Sequence, residues 1–278
     1  MERNALLVSS RVLGISADNR RRLTLLLRAV QGPFTVEDAA RTLGLPRDRA
    51  RRFLAYLASR GWLARVRPGL YTGVPLETSS PADWTEDPWV VATQVFGPCY
   101  VGGWSACEHW ALTDQLFRDV VVLTTRWQRD RSPVIQGTTY RVKVIKEDRM
   151  FGTRVVWRGG RSTRVSDPAR TLVDVLDDPE LGAGIRHVAD VIEAWSDSDS
   201  RDDKQLLAYA ERFGNGSVYK RLGFLIETLG IDAPDLLDAC EGRMSKGVVR
   251  LEPSGPEGGR RTSRWNLVVN VRVGNAAT

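Results

Sequence analysis

The sequence has few residues of the kinds that build disulfide frameworks, metal centres or membrane spans. It contains three cysteines and two histidines in 278 residues. Three cysteines cannot form a disulfide framework, so we expect a reducing, cytoplasmic compartment. No apolar run approaches the roughly 20 residues of a membrane-spanning helix, and the N-terminal segment lacks the layout of a signal peptide. Secreted and membrane classes of protein are therefore set aside.

Motifs for catalysis are also missing. The sequence holds no HExxH, paired CxxC, phosphate-binding GxxxxGK[ST] or nucleophile-elbow GxSxG motif. The Gly-Gly-Trp-Ser run at 102–105 could be mistaken for the Gly-Ser loop of a nucleotidyltransferase. However, the strand predicted next, 120–124, carries no carboxylate to hold magnesium. We therefore expect no enzymatic activity, no cofactor and no metal.

Lysine is absent from the first 75 residues, and the net charge of +6 is concentrated there. This segment has 14 arginines and five carboxylates, which gives it +9 and leaves −3 for residues 76–278. Such asymmetry is typical of an N-terminal module that faces a polyanion. A guanidinium binds phosphate and guanine edges bidentately. Because a GC-rich genome also favours arginine codons, the placement of the charge carries more weight than the residue type.

Length and composition predict two folded domains. The hydrophobic fraction of 42% and the charged fraction of 27% fit a folded chain. We place a first domain at 1–75, a linker at 76–88 and a larger domain at 89–278. Residues 73–88 are rich in Gly, Pro, Ser and acids and have no basic residue, and a short helix is predicted to start near Asp83.

Charge within the larger domain is banded. Residues 118–170 carry +8 and residues 171–257 carry −9. The basic band is either a second surface for a polyanion or the counterpart of the acidic band, within one domain or across a dimer.

Apolar spacing predicts three helices and a hairpin in the first domain. The helices are expected at 19–31, after the N-cap Thr35, and from Pro46, with strands at 62–67 and 70–72. A Gly-Leu turn at 44–45 separates the second and third helices. This order is that of a winged helix-turn-helix, in which the third helix enters the major groove and the hairpin lies along the backbone.

The third helix has an apolar side and a charged side. At about 100° per residue, Ala50, Leu54 and Leu57 share one side, and Asp48 and Arg52 fall opposite. Alternation on the wing strand predicts that its two arginines point to the same face. The predicted DNA-contacting residues are Thr35, Arg47, Asp48, Arg49, Arg51, Arg52, Arg65 and Arg67.

Winged helices also serve protein contacts, with their arginines as a solvated face. Basic residues on both the helix and the wing favour double-stranded DNA. Operators of such proteins are commonly inverted repeats bound by two copies, so we expect either a homodimer or cooperative binding of monomers on DNA.

The larger domain is predicted to mix helices and strands. The helices are expected at 89–96, 167–178, 183–196, 203–213, 217–229 and 233–243, and the strands at 120–124, 139–145, 153–158, 162–165, 247–251 and 264–273. The fold class is therefore α+β, a winged helix-turn-helix followed by a larger mixed α/β domain.

Four segments of the chain, in order, resemble one family. They are YVGGWSACEHWALTDQ at 100–115, VVVLTTR at 120–126, FG at 151–152 with VSDPARTLVD at 165–174, and VYKRLGFL at 218–225. Together with the winged helix, they resemble the AbiEi-type antitoxins of bacterial toxin–antitoxin systems. Cys107 stands where that family more often has leucine, and Ala169 where it has an acid. The resemblance covers about residues 20 to 230.

The resemblance implies an antitoxin that represses its own operon and counteracts a nucleotidyltransferase-like toxin. In the family's type IV description, this needs no stable complex with the toxin. Two alternatives remain: an adaptor that binds the toxin directly, and an enzyme acting on nucleic acid with the winged helix as its targeting arm.

The motif residues of the larger domain have no role assigned by the resemblance. Ser105 is predicted to cap a helix with Glu108 completing a capping box, and Trp104 to lie in the core. A structural role is favoured over a functional surface for the residues of the first motif, which are Trp104, Ser105, His109, Thr113, Asp114 and Gln115. Asp167 is predicted to cap a helix, and Arg170 and Asp174 are motif residues whose role is unassigned.

Overall fold

The computed structural model describes residues 14–30, 32–78, 80 and 83–274. The chain divides into two compact units. The first unit comprises Met1–Val95, Val134–Thr138 and Trp157–Ser162, and the second comprises Phe96–Pro133, Thr139–Val156 and Thr163–Thr278. The predicted domain boundaries, 1–75, 76–88 and 89–278, differ from the limits of these two units. They stay a prediction. Linker positions 79, 81 and 82 lie outside the described residues.

The elements of the first unit follow the predicted order. They are α1 (Ala17–Ala29), β1 (Phe34–Thr35), α2 (Val36–Leu43), α3 (Arg47–Ser59), β2 (Leu63–Arg67), β3 (Leu70–Gly73) and α4 (Pro88–Phe96), whose last residue opens the second unit. The first helix begins earlier than predicted because Ser16 caps it, and Gln31, the predicted end, lies outside the described residues. Strand β1 was not predicted. It pairs with β3 to give the sheet order β1-β3-β2.

The core of the first unit lies between its three N-terminal helices and the hairpin. Leu26, Ala39, Ala50, Leu54 and Leu57 are fully buried there. Alanines at the contact between α2 and α3 let these helices approach closely, as a helix-turn-helix requires.

The segment before α4 is not helical. Residues 83–87 contain no helix, so the short helix predicted near Asp83 does not occur there. Asp87 instead caps α4, because its Oδ1 accepts hydrogen bonds from the backbone N–H groups of Trp89 at 2.8 Å and Val90 at 3.2 Å.

The rest of the chain supplies nine further strands and six further helices among the described residues. They are β4 (Cys99–Val101), α5 (Gly103–His109), β5 (Val120–Thr124), β6 (Val134–Ile135), β7 (Thr138–Val144), β8 (Thr153–Arg158), β9 (Arg161–Ser166), α6 (Pro168–Asp177), α7 (Ile185–Ser196), α8 (Asp203–Phe213), α9 (Gly216–Leu229), α10 (Pro234–Arg243), β10 (Val249–Arg250), β11 (Arg260–Thr262) and β12 (Leu267–Val269). The mixed α/β architecture is as predicted.

Six of these strands form one mixed sheet. Its order is β6-β7-β5-β4-β9-β8. Strand β5 runs antiparallel to β4 and parallel to β7, and all five of its residues are buried. A second, three-stranded sheet has the order β10-β12-β11. Two long strands were predicted at 247–251 and 264–273, and the structure has three short ones instead.

Helix α6 is the centre of the second unit. Asp167 is its N-cap and Pro168 its first residue, as predicted, and every residue from 168 to 176 is buried. Leu172, Val173 and Leu176 pack in one apolar core with residues of α7, α8 and α9. No helix in the described part of the chain is long and apolar enough to cross a membrane.

Candidate nucleic-acid interface

Thr35 and Asp38 form a capping box at the start of α2. The Thr35 N–H donates to Asp38 Oδ2 at 3.0 Å, and the Asp38 N–H donates to Thr35 Oγ1 at 3.1 Å. Burial raises the pKa of the Asp38 carboxyl, but the hydrogen bonds from Thr35 and the charge of Arg41 outweigh it, so this pKa lies below its usual value. Thr35 is thus a helix cap, and its contact with DNA stays a prediction.

A left-handed turn connects α2 to the predicted recognition helix. Gly44 has φ +61°, a conformation that favours glycine, and Pro46 is the N-cap of α3. The helix therefore begins at Arg47, one residue after the predicted start. No side chain caps its first turn. The first N–H groups of α3 therefore have no side-chain acceptor, which is the arrangement that attracts a phosphate.

Helix α3 separates its core residues from its charged residues. The apolar side, with Ala50, Leu54 and Leu57, is buried. The charged side is exposed over its whole length and comprises Arg47, Asp48, Arg49, Arg51 and Arg52. The structure therefore leaves these side chains available to a ligand, while their contact with DNA stays a prediction.

The arginines of α3 differ in their partners. Arg47 Nε lies 2.6 Å from Glu37 Oε1 of α2, in an ion pair that sequence analysis missed. Among the described residues, Arg49, Arg51 and Arg52 make no ion pair. Glu37 lies in the first turn of α2, and its position before the turn leading to Arg47 was the available signal.

The wing carries Arg65 and Arg67, and both are exposed. The β2–β3 ladder shifts register between these two residues, and Val66 between them is buried. The bulge interrupts the ladder at this point, and exposure alternates across the three residues. The shared face of the two arginines stays a prediction. Arg60 caps the C-terminal end of α3, and its guanidinium carbon lies 5.4 Å from the centre of the Tyr56 ring.

The motif residues of helix α5 fasten it to strand β5. Trp104 Nε1 donates to the Asp119 carbonyl at 2.9 Å, and Ser105 Oγ accepts from the Val121 N–H at 3.1 Å. Ser105 lies inside the helix and is not its cap, so the predicted capping box with Glu108 is wrong. The helix starts early because Gly102 and Gly103 allow it; a Cβ on Gly103 would lie 2.3 Å from the Leu181 carbonyl oxygen.

The motif residues after α5 contact a buried histidine. Thr113 Oγ1 lies 2.8 Å from His187 Nε2 and accepts from the Gln115 N–H at 3.1 Å. His187 Nδ1 lies 2.7 Å from the Gly182 carbonyl oxygen. His109 packs edge-on against the Trp110 ring, with the ring centres 4.6 Å apart. His187 is buried, Thr113 and His109 are half-buried, and Gln115 is exposed, so these motif residues lie at the edge of the core.

Arg170 and Asp174 form a buried ion pair on α6. Arg170 Nη2 lies 3.0 Å from Asp174 Oδ1 and donates to the Tyr100 hydroxyl at 2.8 Å. The guanidinium carbon lies 4.4 Å and 4.9 Å from the ring centres of Phe151 and Phe213. Burial raises the pKa of the Asp174 carboxyl although Arg170 is next to it.

The cap of α6 has a second partner. Asp167 Oδ1 accepts from the Arg170 N–H at 2.9 Å, and Asp167 Oδ2 accepts from the Tyr209 hydroxyl at 3.0 Å. The three motif residues of α6 therefore hold this helix in the core.

The residues of the VYKRLGFL segment, at 218–225, also make packing contacts inside the second unit. Arg221 donates to the carbonyl oxygens of Leu176 at 2.6 Å and Leu251 at 3.1 Å. A Cβ on Gly223 would lie 2.1 Å from the Trp265 ring, so the indole packs directly on the helix backbone.

The remaining candidate groups of the second unit are metal ligands, cysteine thiols and the lining of a cleft. No group of three or more His, Cys, Asp or Glu side chains among its described residues could hold a metal ion. Burial raises the pKa of the three cysteine thiols, Cys99, Cys107 and Cys240, to about 12. A cleft of about 710 Å³ is lined by Arg141, Lys143 and Asp178 among others. Its lysine is paired with Asp177 and Asp178 and its Arg141 with Asp119.

Comparison with known proteins identifies the N-terminal region. Residues 21–72 match the family of AbiEi antitoxin transcriptional regulators. The crystal structure of the RV2827C protein from Mycobacterium tuberculosis is similar over 93% of this chain and 94% of that chain, with a TM-score of 0.62 and 18% identity. At this identity the likeness shows a shared fold. No curated protein matches the chain. The part of the chain that forms the winged helix-turn-helix, residues 21–72, is therefore similar to the AbiEi antitoxin transcriptional regulators.

Proposed function

We propose that the protein is the antitoxin and transcriptional autorepressor of a toxin–antitoxin operon. Its winged helix binds double-stranded operator DNA arranged as an inverted repeat, as a homodimer or by cooperative binding of monomers. It counteracts a nucleotidyltransferase-like toxin without an obligatory stable complex, and it has no enzymatic activity of its own.

The exposed charged side of α3 carries this proposal. Arg49, Arg51 and Arg52 are exposed and, within the described chain, free of ion pairs, and the first turn of α3 has no side-chain cap. A helix that inserts into the major groove needs unpaired donors for base edges and phosphates. The exposed wing arginines extend the basic surface to the backbone beside the groove.

The burial of three motif residues in the second unit supports neutralisation without a stable complex. Ser105, Arg170 and Asp174 are buried, and they bind other residues of the same unit. Such side chains cannot form a toxin-binding surface while the unit is folded. A direct adaptor would have to use other, exposed residues.

A gel-shift titration tests the DNA-binding step. The probe is the duplex immediately upstream of the protein's own coding sequence, with a random duplex of equal length as competitor. We expect Arg51→Ala and Arg52→Ala each to weaken operator binding about 5- to 150-fold if the side chain reads a base, since one such contact is worth about 1–3 kcal/mol. Arg67→Ala should weaken both duplexes alike and reduce the salt slope by about 1.

The matched control is Arg243→Ala, which removes an exposed arginine of α10 in the other unit. Operator affinity unchanged in both α3 variants, or reduced equally by the control, would contradict the docking. The toxin-related step has its own test, gel filtration of the protein mixed with the product of the neighbouring toxin gene. Elution as one complex would favour the adaptor.

A further inference from the structure

The loop from 126 to 131 exposes a tryptophan among arginines. Trp127 is 74% exposed, and Arg126, Arg129 and Arg131 are exposed on either side of it. This loop follows β5 and lies within the basic band of the second unit. Arg126 ends the VVVLTTR motif, and neither the proposed operator binding nor the buried motifs use the rest of the loop.

The loop is held at both ends. The Arg126 N–H donates to Thr124 Oγ1 at 3.0 Å, and Arg126 Nη1 donates to the Gly97 carbonyl at 3.2 Å. At the other end, the Arg131 carbonyl accepts from the Val142 N–H at 2.8 Å. The indole is therefore presented on an anchored loop, so that ordering the loop adds little cost to binding.

The basic side chains around Trp127 are available. In the described part of the chain, Arg129 and Arg131 make no ion pair. The one carboxylate of the loop, Asp130, is occupied because its Oδ1 accepts from the Ser132 N–H at 2.9 Å.

Trp157 offers an internal comparison. It is 72% exposed and also has arginines close in sequence. Those arginines are engaged within the first unit: the Arg158 guanidinium carbon lies 4.3 Å from the centre of the Trp89 ring, and Arg161 Nη1 lies 2.5 Å from Glu86 Oε2. Among the described residues, Trp127 is therefore the exposed indole that has neighbouring arginines without ion pairs.

We propose that Trp127, with Arg126, Arg129 and Arg131, is a binding platform for single-stranded nucleic acid. A base stacks on the indole, and the guanidinium groups bind the phosphates on either side. Stacking needs an unpaired base, so this surface differs in its ligand from the duplex-binding winged helix. Neighbours such as Gln128 and Ser132 are polar, whereas the centre of a protein–protein interface is mostly apolar.

Fluorescence anisotropy with labelled 12-nucleotide oligo(U) and oligo(dT) tests this proposal on the full chain. We expect Trp127→Ala to weaken binding about 5- to 150-fold, and Trp127→Phe to retain most of the affinity because a ring remains. Arg129→Gln should reduce the salt slope. Stronger binding of oligo(U) would identify RNA as the source of the ligand through its 2′-hydroxyls, and equal binding would identify stacking alone.

Trp157→Ala is the matched control and should bind both oligonucleotides like the unchanged protein. Duplex operator binding, measured in parallel, should be the same in Trp127→Ala, so failure of the operator model and failure of this proposal are separable. The proposal is overturned if the unchanged protein binds neither oligonucleotide more tightly than a random duplex, or if Trp127→Ala has no effect. It is also overturned if Trp157→Ala loses as much affinity, or if Trp127 binds a protein partner and no oligonucleotide.

Discussion

The two units use arginine in opposite ways. In the first unit, Arg49, Arg51 and Arg52 lie exposed on one helix without carboxylate partners among the described residues. In the second unit, Arg170 is fully buried and Arg221 is 3% exposed, and both bind groups of their own unit. The buried arginines belong to the motifs of the second unit, whereas the exposed ones lie within residues 21–72, the segment that matches the AbiEi antitoxin transcriptional regulators. The comparison shows that a motif arginine can meet a packing requirement, whereas the exposed arginines of α3 are left available to a ligand.

The largest expected effect is the loss of the buried arginine. Arg170→Met leaves the Asp174 carboxylate buried without its cation, and we expect the free energy of unfolding of the second unit to fall by about 3–5 kcal/mol. Arg51→Ala, the matched exposed change, should stay within about 0.5 kcal/mol. Urea denaturation of both variants, followed by circular dichroism, measures the difference.

A double variant checks the cause of that loss. Arg170→Met with Asp174→Leu removes both charges, and it should recover part of the stability. If Arg170→Met costs no more than Arg51→Ala, the contrast between buried and exposed arginines does not extend to stability.

Replacing a glycine by alanine should change the free energy of unfolding by an intermediate amount, with opposite sign at two sites. A Cβ at Gly223 would meet the Trp265 ring at 2.1 Å, whereas a Cβ at Gly242 meets nothing within 4 Å. We expect Gly223→Ala to lower the free energy of unfolding by about 1–3 kcal/mol through overpacking. Gly242→Ala, on an exposed face of α10, should raise it by up to about 1 kcal/mol through helix propensity. Thermal unfolding of both variants provides the measurement, and equal shifts would show that Trp265 does not pack as described.

The smallest effect concerns the capping box of the first unit and depends on pH. The pKa of Asp38 is lowered in the folded protein, so its contribution to stability is present above the usual aspartate pKa and is lost as pH falls through the folded-state value. At pH 7 we expect Asp38→Ala to cost about 1 kcal/mol. This cost should shrink below about pH 4.

Urea titrations of Asp38→Ala and of the unchanged protein at several pH values measure this difference in free energy of unfolding. Glu77→Ala, which removes an exposed carboxylate of the same unit, is the control and should show no such trend. If the difference in free energy of unfolding between Asp38→Ala and the unchanged protein stays constant down to pH 3, the ionised Asp38 carboxylate does not stabilise the helix start.

Local signals were sufficient for most elements but not for the shortest ones. Helix α8 and strand β8 have their predicted bounds, because apolar periodicity and clear end signals extend over their length. Strands β1 and β4 were missed because two or three residues contain no period to detect. The Ser105 cap was wrong because the preceding pair of glycines extends helix α5 toward its N-terminus.

The candidate site shows the same contrast between features with a local sequence signal and features without one. Helical periodicity correctly predicted which arginines of α3 are exposed, since an amphipathic helix has only one face to bury. The ion pair between Arg47 and Glu37 and the bulge at Val66 were not predicted. Both depend on how neighbouring elements pack, which no local pattern encodes.

By itself, the sequence determined the fold class, the order of the elements, and the concentration of positive charge in the first 75 residues. It did so because periodicity, capping residues and charge are local properties of the chain. Only the tertiary structure decided which arginines are free and which are buried, since burial depends on contacts between residues distant in sequence. Arg170 meets Tyr100, 70 positions away, and is removed from solvent. Trp127 and the arginines beside it remain exposed.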